Sequence, residues 1–247
     1  MNKKAVLLIV LCICLIAETP AFAVRIVSPS PYVNTVAAFI SGSKAKNGGT
    51  VSVALNEGSR GRKSLFKGAR VSADDILHAY YDPAKLPYVA QAVLTLLSET
   101  DKQNYRYYQR RLAEFQAALD SVVSVGRYFL PKDKEFLDLT GVEGVLISAA
   151  NNKTERPADS EMQRWKAGDT DSLKRLVELS RSRGKIILID RWTPAPVIYC
   201  LNGYRAKIYM PPADTGKNYF NSLGAIYKYV AKRAKEIKTT DNGKNRP

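Results

Sequence analysis

The chain holds one histidine, and His78 is the residue best placed by type to do chemistry. It lies four residues before an Asp82-Pro83 pair, with Asp74 and Asp75 just ahead of it. An imidazole can serve as a base, a nucleophile or a metal ligand. Farther along, Asp190 closes the apolar run Lys185 to Ile189. It therefore stands at the end of an expected strand, where α/β proteins often place the groups that meet a ligand. No catalytic set accompanies these residues: there is no Ser-His-Asp arrangement, glycine-rich phosphate loop or metalloprotease motif. An enzyme is not expected. Each residue also has a local reading. Asp82 suits a helix N-cap with Pro83 at the first helical position, Asp190-Arg191 can pair locally, and His78 can be a structural residue packed near Asp82.

The elements that must position these groups follow from periodicity. Val24 to Ser28 and Thr50 to Leu55 read as strands, with a helix over Tyr32 to Ile40 between them. Asn56 to Arg70 is polar and basic (Arg60, Arg62, Lys63, Lys67, Arg70) and reads as a surface loop. A helix follows Asp82-Pro83. Thr100 and Gln103 have the spacing of a capping box ahead of a helix of about 25 residues, roughly 38 Å long. Its apolar positions Tyr105, Tyr108, Leu112, Phe115, Leu119 and Val122 recur at threes and fours. In the second half Val142 to Ala149, Lys185 to Asp190 and Ala206 to Met210 read as strands. Helices are expected over Thr170 to Arg183 and about Lys217 to Ile237, before a polar tail. Strands alternating with helices favour parallel sheets. The fold class is α/β: two small lobes joined by one long rigid backbone helix, with a ligand cleft between them. The expected division is a signal peptide over 1–23, a shortened N-terminal lobe over 24–100, the backbone helix over 101–127, a C-terminal lobe over 128–237 and a tail over 238–247.

The N-terminus gives an address. Lys3 and Lys4 precede the uncharged run Ala5 to Ala17, which is too short to span a bilayer comfortably, and Ala21-Phe22-Ala23 offers a cleavage site. Cys12 and Cys14 lie inside the run rather than at a lipobox, so no lipid anchor is expected. Cys200 is the one cysteine that remains, which excludes an internal disulfide and reads as a small buried hydrophobe. The formal charge of +15 invites a nucleic-acid reading. Export and the lack of a basic motif interleaved with aromatics argue against it. A solvated basic surface, loosely attracted to anionic envelope components, fits better.

With these residues in place, the chain resembles the zinc- and manganese-binding receptors of ABC importers. The resemblance rests on His78-Ala79-Tyr80-Tyr81-Asp82-Pro83 and its helix, on Glu99 to Tyr108 opening the long helix, and on Asn218-Tyr219-Phe220 opening the last one. It implies a periplasmic, monomeric solute-binding protein that delivers its cargo to an inner-membrane permease. It also implies a metal held between the lobes by four ligands, mostly histidine with carboxylate, a set that suits a borderline ion such as zinc or manganese as cargo. On this chain His78 matches the second ligand and Asp190 the fourth, with Asp75 or Asp74 as a possible helper. The first position falls on Gly58 to Arg62 and the third on Ser148 to Asn152, where no histidine stands. Two functions follow: a receptor for a divalent metal or a substitute ligand, or a non-transporting envelope interaction protein that kept the scaffold and lost the metal site.

Overall fold

The computed structural model describes residues 24–42, 50–54, 63–64, 75–216 and 218–241. The expected signal peptide, Asp74, the end of the polar tail and most of the basic segment lie outside them. Strands β1 (Arg25–Val27), β2 (Thr50–Ala54) and β3 (Lys63–Ser64) make a parallel sheet in that order. β3 falls where the sequence shows only a basic loop, because two residues are too few to carry a period. Helix α1 (Pro31–Ser41) starts as its residues require. The Ser30 hydroxyl accepts the Val33 N–H, Pro31 takes the first position, and Val33, Val36, Ala37 and Ile40 are buried.

Asp82 plays a smaller part than an N-cap. A short helix α2 (Ile76–Tyr81) ends at it, and α3 (Leu86–Thr100) begins only at Leu86, with Pro87 in its first turn. The Asp82 carboxylate accepts the Ala84 N–H at 2.9 Å, and its carbonyl accepts the amides of Lys85 and Leu86. It closes the turn between two helices. The Thr100 hydroxyl bonds back to the Leu96 carbonyl at 2.8 Å, and one 3₁₀ turn (Lys102–Asn104), with Asp101 at its N-cap position, leads into α4. Helix α4 (Tyr105–Phe129) runs 25 residues and buries Tyr108, Leu112, Phe115, Leu119 and Val122 of the expected stripe; Tyr105, at its first position, is exposed instead.

Beyond α4 come β4 (Phe136–Asp138), α5 (Gly144–Ala150), β5 (Thr154–Glu155), α6 (Asp159–Lys166), α7 (Asp171–Ser182), β6 (Ile186–Ile189), α8 (Ala195–Cys200), β7 (Lys207–Tyr209) and α9 (Tyr219–Asp241). The four strands form a parallel sheet in the order β5-β4-β6-β7. The strand expected over Val142 to Ala149 is instead helix α5, and the true strand is the three-residue β4 upstream. A short apolar run fits a buried helix as well as a buried strand. Here the Thr140 hydroxyl decides, accepting the Gly144 N–H at 2.8 Å where the helix begins.

Every residue of β6 is buried, as a strand covered on both faces must be. Phe136, Ile186, Leu188 and Ile208 face a core continuous with the N-terminal helices, α4 and α9. Leu137, Ile187 and Ile189 face a second core with Trp165, Leu173, Val177 and Leu201. Helix α9 packs along α4 and ties the lobes together. The Tyr219 hydroxyl donates to the Tyr80 carbonyl, Tyr80 to the Asp214 carbonyl at 2.9 Å, and Tyr227 to the Leu146 carbonyl at 2.7 Å. At Gly126 the two helices come close, since a Cβ there would stand 2.6 Å from the Tyr227 ring. No helix among the described residues is long and apolar enough to cross a membrane.

Candidate functional site

A cleft of about 920 Å³ opens between the lobes. Its N-terminal wall is α2 with the residues on either side of it: Asp75, Leu77, His78, Asp82 and Lys85. Asp75, His78 and Lys85 are exposed and Asp82 half-buried, so their polar groups stand at the water-filled face. The opposite wall carries Arg156 and, from α6, Asp159, Gln163 and Lys166. Between the charged rims the floor is apolar, made by Val142, Val145, Met162, Trp192 and Pro194. Tyr81 packs edge-on to Trp192 at 6.1 Å, and the Arg191 guanidinium lies over the indole at 4.0 Å from its centre.

Asp190 takes no part in lining this cleft. It is fully buried, and four backbone amides converge on its carboxylate: Gly141 at 2.8 Å, Val142 at 2.9 Å, Glu143 at 3.1 Å and Trp192 at 3.0 Å, with the Thr193 hydroxyl at 3.0 Å. A carboxylate has about four lone-pair positions. Those of Asp190 are taken by the loop it folds, so the structure does not bring Asp190 and His78 together as lining groups of one cleft.

The loop that Asp190 holds is the segment after the first C-terminal strand, now seen to be Leu139 to Glu143. It contains a residue that the sequence reading missed. Glu143 is fully buried and both of its carboxylate oxygens lack a hydrogen-bond partner. Burial pushes its pKa up to about 8, helped by the nearby Asp190 charge and opposed by the Arg191 guanidinium. At neutral pH this group is mostly a neutral acid. Reading 142–149 as a strand hid it; the spacing Thr140-x-x-Glu143 ahead of an apolar run was the available signal.

Arg156 reaches the cleft from a third buried acid. Its Nη1 donates to Asp138 Oδ2 at 2.8 Å and to the Thr140 carbonyl at 3.0 Å. Burial raises the Asp138 pKa against the pull of that guanidinium. The carboxylate is packed so tightly against Gly144 that a Cβ there would stand 2.0 Å from an oxygen. Among the described residues no three His, Cys, Asp or Glu side chains converge as a metal site would need. Cys200, expected to be buried, is half-exposed in α8.

Two parallel α/β lobes on one long helix, with the cleft between them, have the architecture of a two-lobe solute-binding receptor. Solved structures agree on the fold. A ZnuA deletion mutant with zinc bound matches 86% of this chain and 98% of its own at a TM-score of 0.59 and 13% identity. FpvC of Pseudomonas aeruginosa in complex with Mn²⁺ matches the same shares at 0.56 and 13%. The laminin-binding protein Lbp of Streptococcus pyogenes matches 87% of this chain and all of its own at 0.53 and 11%. No protein-family model and no curated protein sequence matches the chain.

Proposed function

We propose that the protein is an exported solute-binding receptor that takes a polar organic solute between its lobes and hands it to an ABC-type permease. The observation that carries this reading is the composition of the cleft: two charged walls of mixed sign, Asp75, His78 and Lys85 facing Arg156, Asp159 and Lys166, over an apolar floor. Pockets for small organic ligands have this make-up, an apolar lining with a few polar groups that fix orientation. A solute carrying both an anionic and a cationic group would answer both walls and lay its carbon skeleton on Trp192. The structural neighbours bind Zn²⁺ and Mn²⁺ by their descriptions. In this chain one expected ligand is spent on backbone amides, and the other stands at the surface. Signal-peptide cleavage after Ala23 and release to the periplasm without a lipid anchor belong to the same proposal.

The test is native mass spectrometry of the purified processed protein. About one small organic molecule per chain should be retained, and Lys85→Ala and Lys166→Ala should each reduce its occupancy. Stoichiometric zinc or manganese in its place would restore the metal-receptor reading. A second reading, a non-transporting interaction protein on the same scaffold, is favoured by the loss of free ligands at Asp190. It predicts an empty cleft and no association with a permease in cross-linking.

A further inference from the structure

The chain has an excess of 15 positive charges, and the cleft does not account for them. Part of that charge gathers around aromatic rings at a place where exposed rings are unexpected. Tyr128 and Phe129 end helix α4; Tyr128 is 81% exposed, and the two rings sit edge to face at 5.1 Å. Phe129 is also the point of contact with α9, where the Lys228 Nζ lies 5.4 Å from its ring centre. Tyr229, exposed as well, follows on the same helix. Arg127 and Lys132 flank the two rings in the chain, and on α9 Lys232 and Lys235 continue the face of Lys228 at spacings of four and three; all are exposed. The acids nearby are few: Asp133 after α4, and Glu236, which pairs with Arg233.

We propose that this surface, the C-terminal end of α4 with the adjoining face of α9, docks on an anionic phospholipid bilayer. Tyrosine and phenylalanine rings beside lysines are the chemistry of a membrane–water interface, where rings settle at headgroup depth and the cations meet lipid phosphates. A nucleic acid would demand rings set to stack successive bases, and here they lie edge to face at a helix end. The surface is separate from the cleft by element, since no residue lining the cleft comes from α4 or α9. It therefore stands or falls independently of the cargo. A receptor held loosely at the bilayer searches for its permease in two dimensions.

The test is sedimentation of the processed protein with vesicles of phosphatidylcholine alone or mixed with phosphatidylglycerol. The protein should bind the anionic vesicles, with an affinity that falls as salt rises, and should ignore the neutral ones. Lys228→Gln with Lys232→Gln should weaken binding by at least about tenfold, near 1 kcal/mol for each basic residue. Tyr128→Ser should weaken it several-fold; its side chain is solvent-facing, so folding is undisturbed. A charge-matched remote pair on α7, Lys174→Gln with Arg175→Gln, both exposed, should bind as the parent does. Three results would overturn the proposal: no binding to anionic vesicles, equal loss from the remote pair, or loss through the lysines with none from Tyr128→Ser. The first would leave the patch to a protein partner, and the other two would mean diffuse charge attraction.

Discussion

On the N-terminal wall of the cleft, Asp75 and His78 face water beside a half-buried Asp82; behind the C-terminal wall, Asp138, Glu143 and Asp190 are buried completely. The same residue types thus do different work. The buried carboxylates organise backbone: Asp190 gathers four amides, and Asp138 holds Thr140 and Arg156. The exposed His78 and Lys85 stand on the cleft wall, where a ligand can reach them. On the proposed function recognition falls to the rims, while the acids beneath hold the backbone that carries the floor.

The strongest way to break this comparison is Asp190→Ala. It would leave several amides of the 141–143 turn without an acceptor, and we expect a loss of at least about 3 kcal/mol in urea unfolding. A loss under about 1 kcal/mol would mean that Asp190 is not structural. Glu143 sharpens the contrast through pH. Its carboxyl stays protonated in the folded protein up to about 8, while in the unfolded chain it ionises near 4.5. The folded state therefore binds the extra proton between those values. Its stabilising share is complete below 4.5 and is lost as pH rises through 8, by up to about 5 kcal/mol. Glu143→Gln should flatten this part of the stability profile, and an unchanged slope would place the titration elsewhere.

Smaller effects test the joint and the rim. Gly126→Ala would drive a methyl into the Tyr227 ring and the Ala150 Cβ, costing about 1–3 kcal/mol by thermal unfolding. Lys85→Ala should change stability by less than about 0.5 kcal/mol, as exposed side chains do, while lowering solute affinity. If stability fell as well, the N-terminal rim would be part of the frame after all.

The same contrast explains what was legible in the sequence. The α4 stripe from Tyr108 to Val122, the β6 run and the final helix declare themselves, because long periods and wholly apolar strands leave few alternatives. The α/β architecture with a joining helix followed from them. The C-terminal floor was harder to read. Strand β4 has three residues and α5 only seven, so the run Val142 to Ala149 carried no decisive period. Misplacing it concealed Glu143 and moved the expected third ligand position downstream to Ser148 to Asn152. Nor could spacing show that Asp190 would be consumed by amides 47 to 49 residues away in the chain. His78 on the cleft wall was readable, because its position depends on local elements.

The most direct test of the central claim is calorimetric titration of zinc into the metal-free processed protein, with His78→Ala beside it. We predict no stoichiometric uptake at micromolar protein and no difference between the two. One zinc bound per chain, and lost in His78→Ala, would contradict the account.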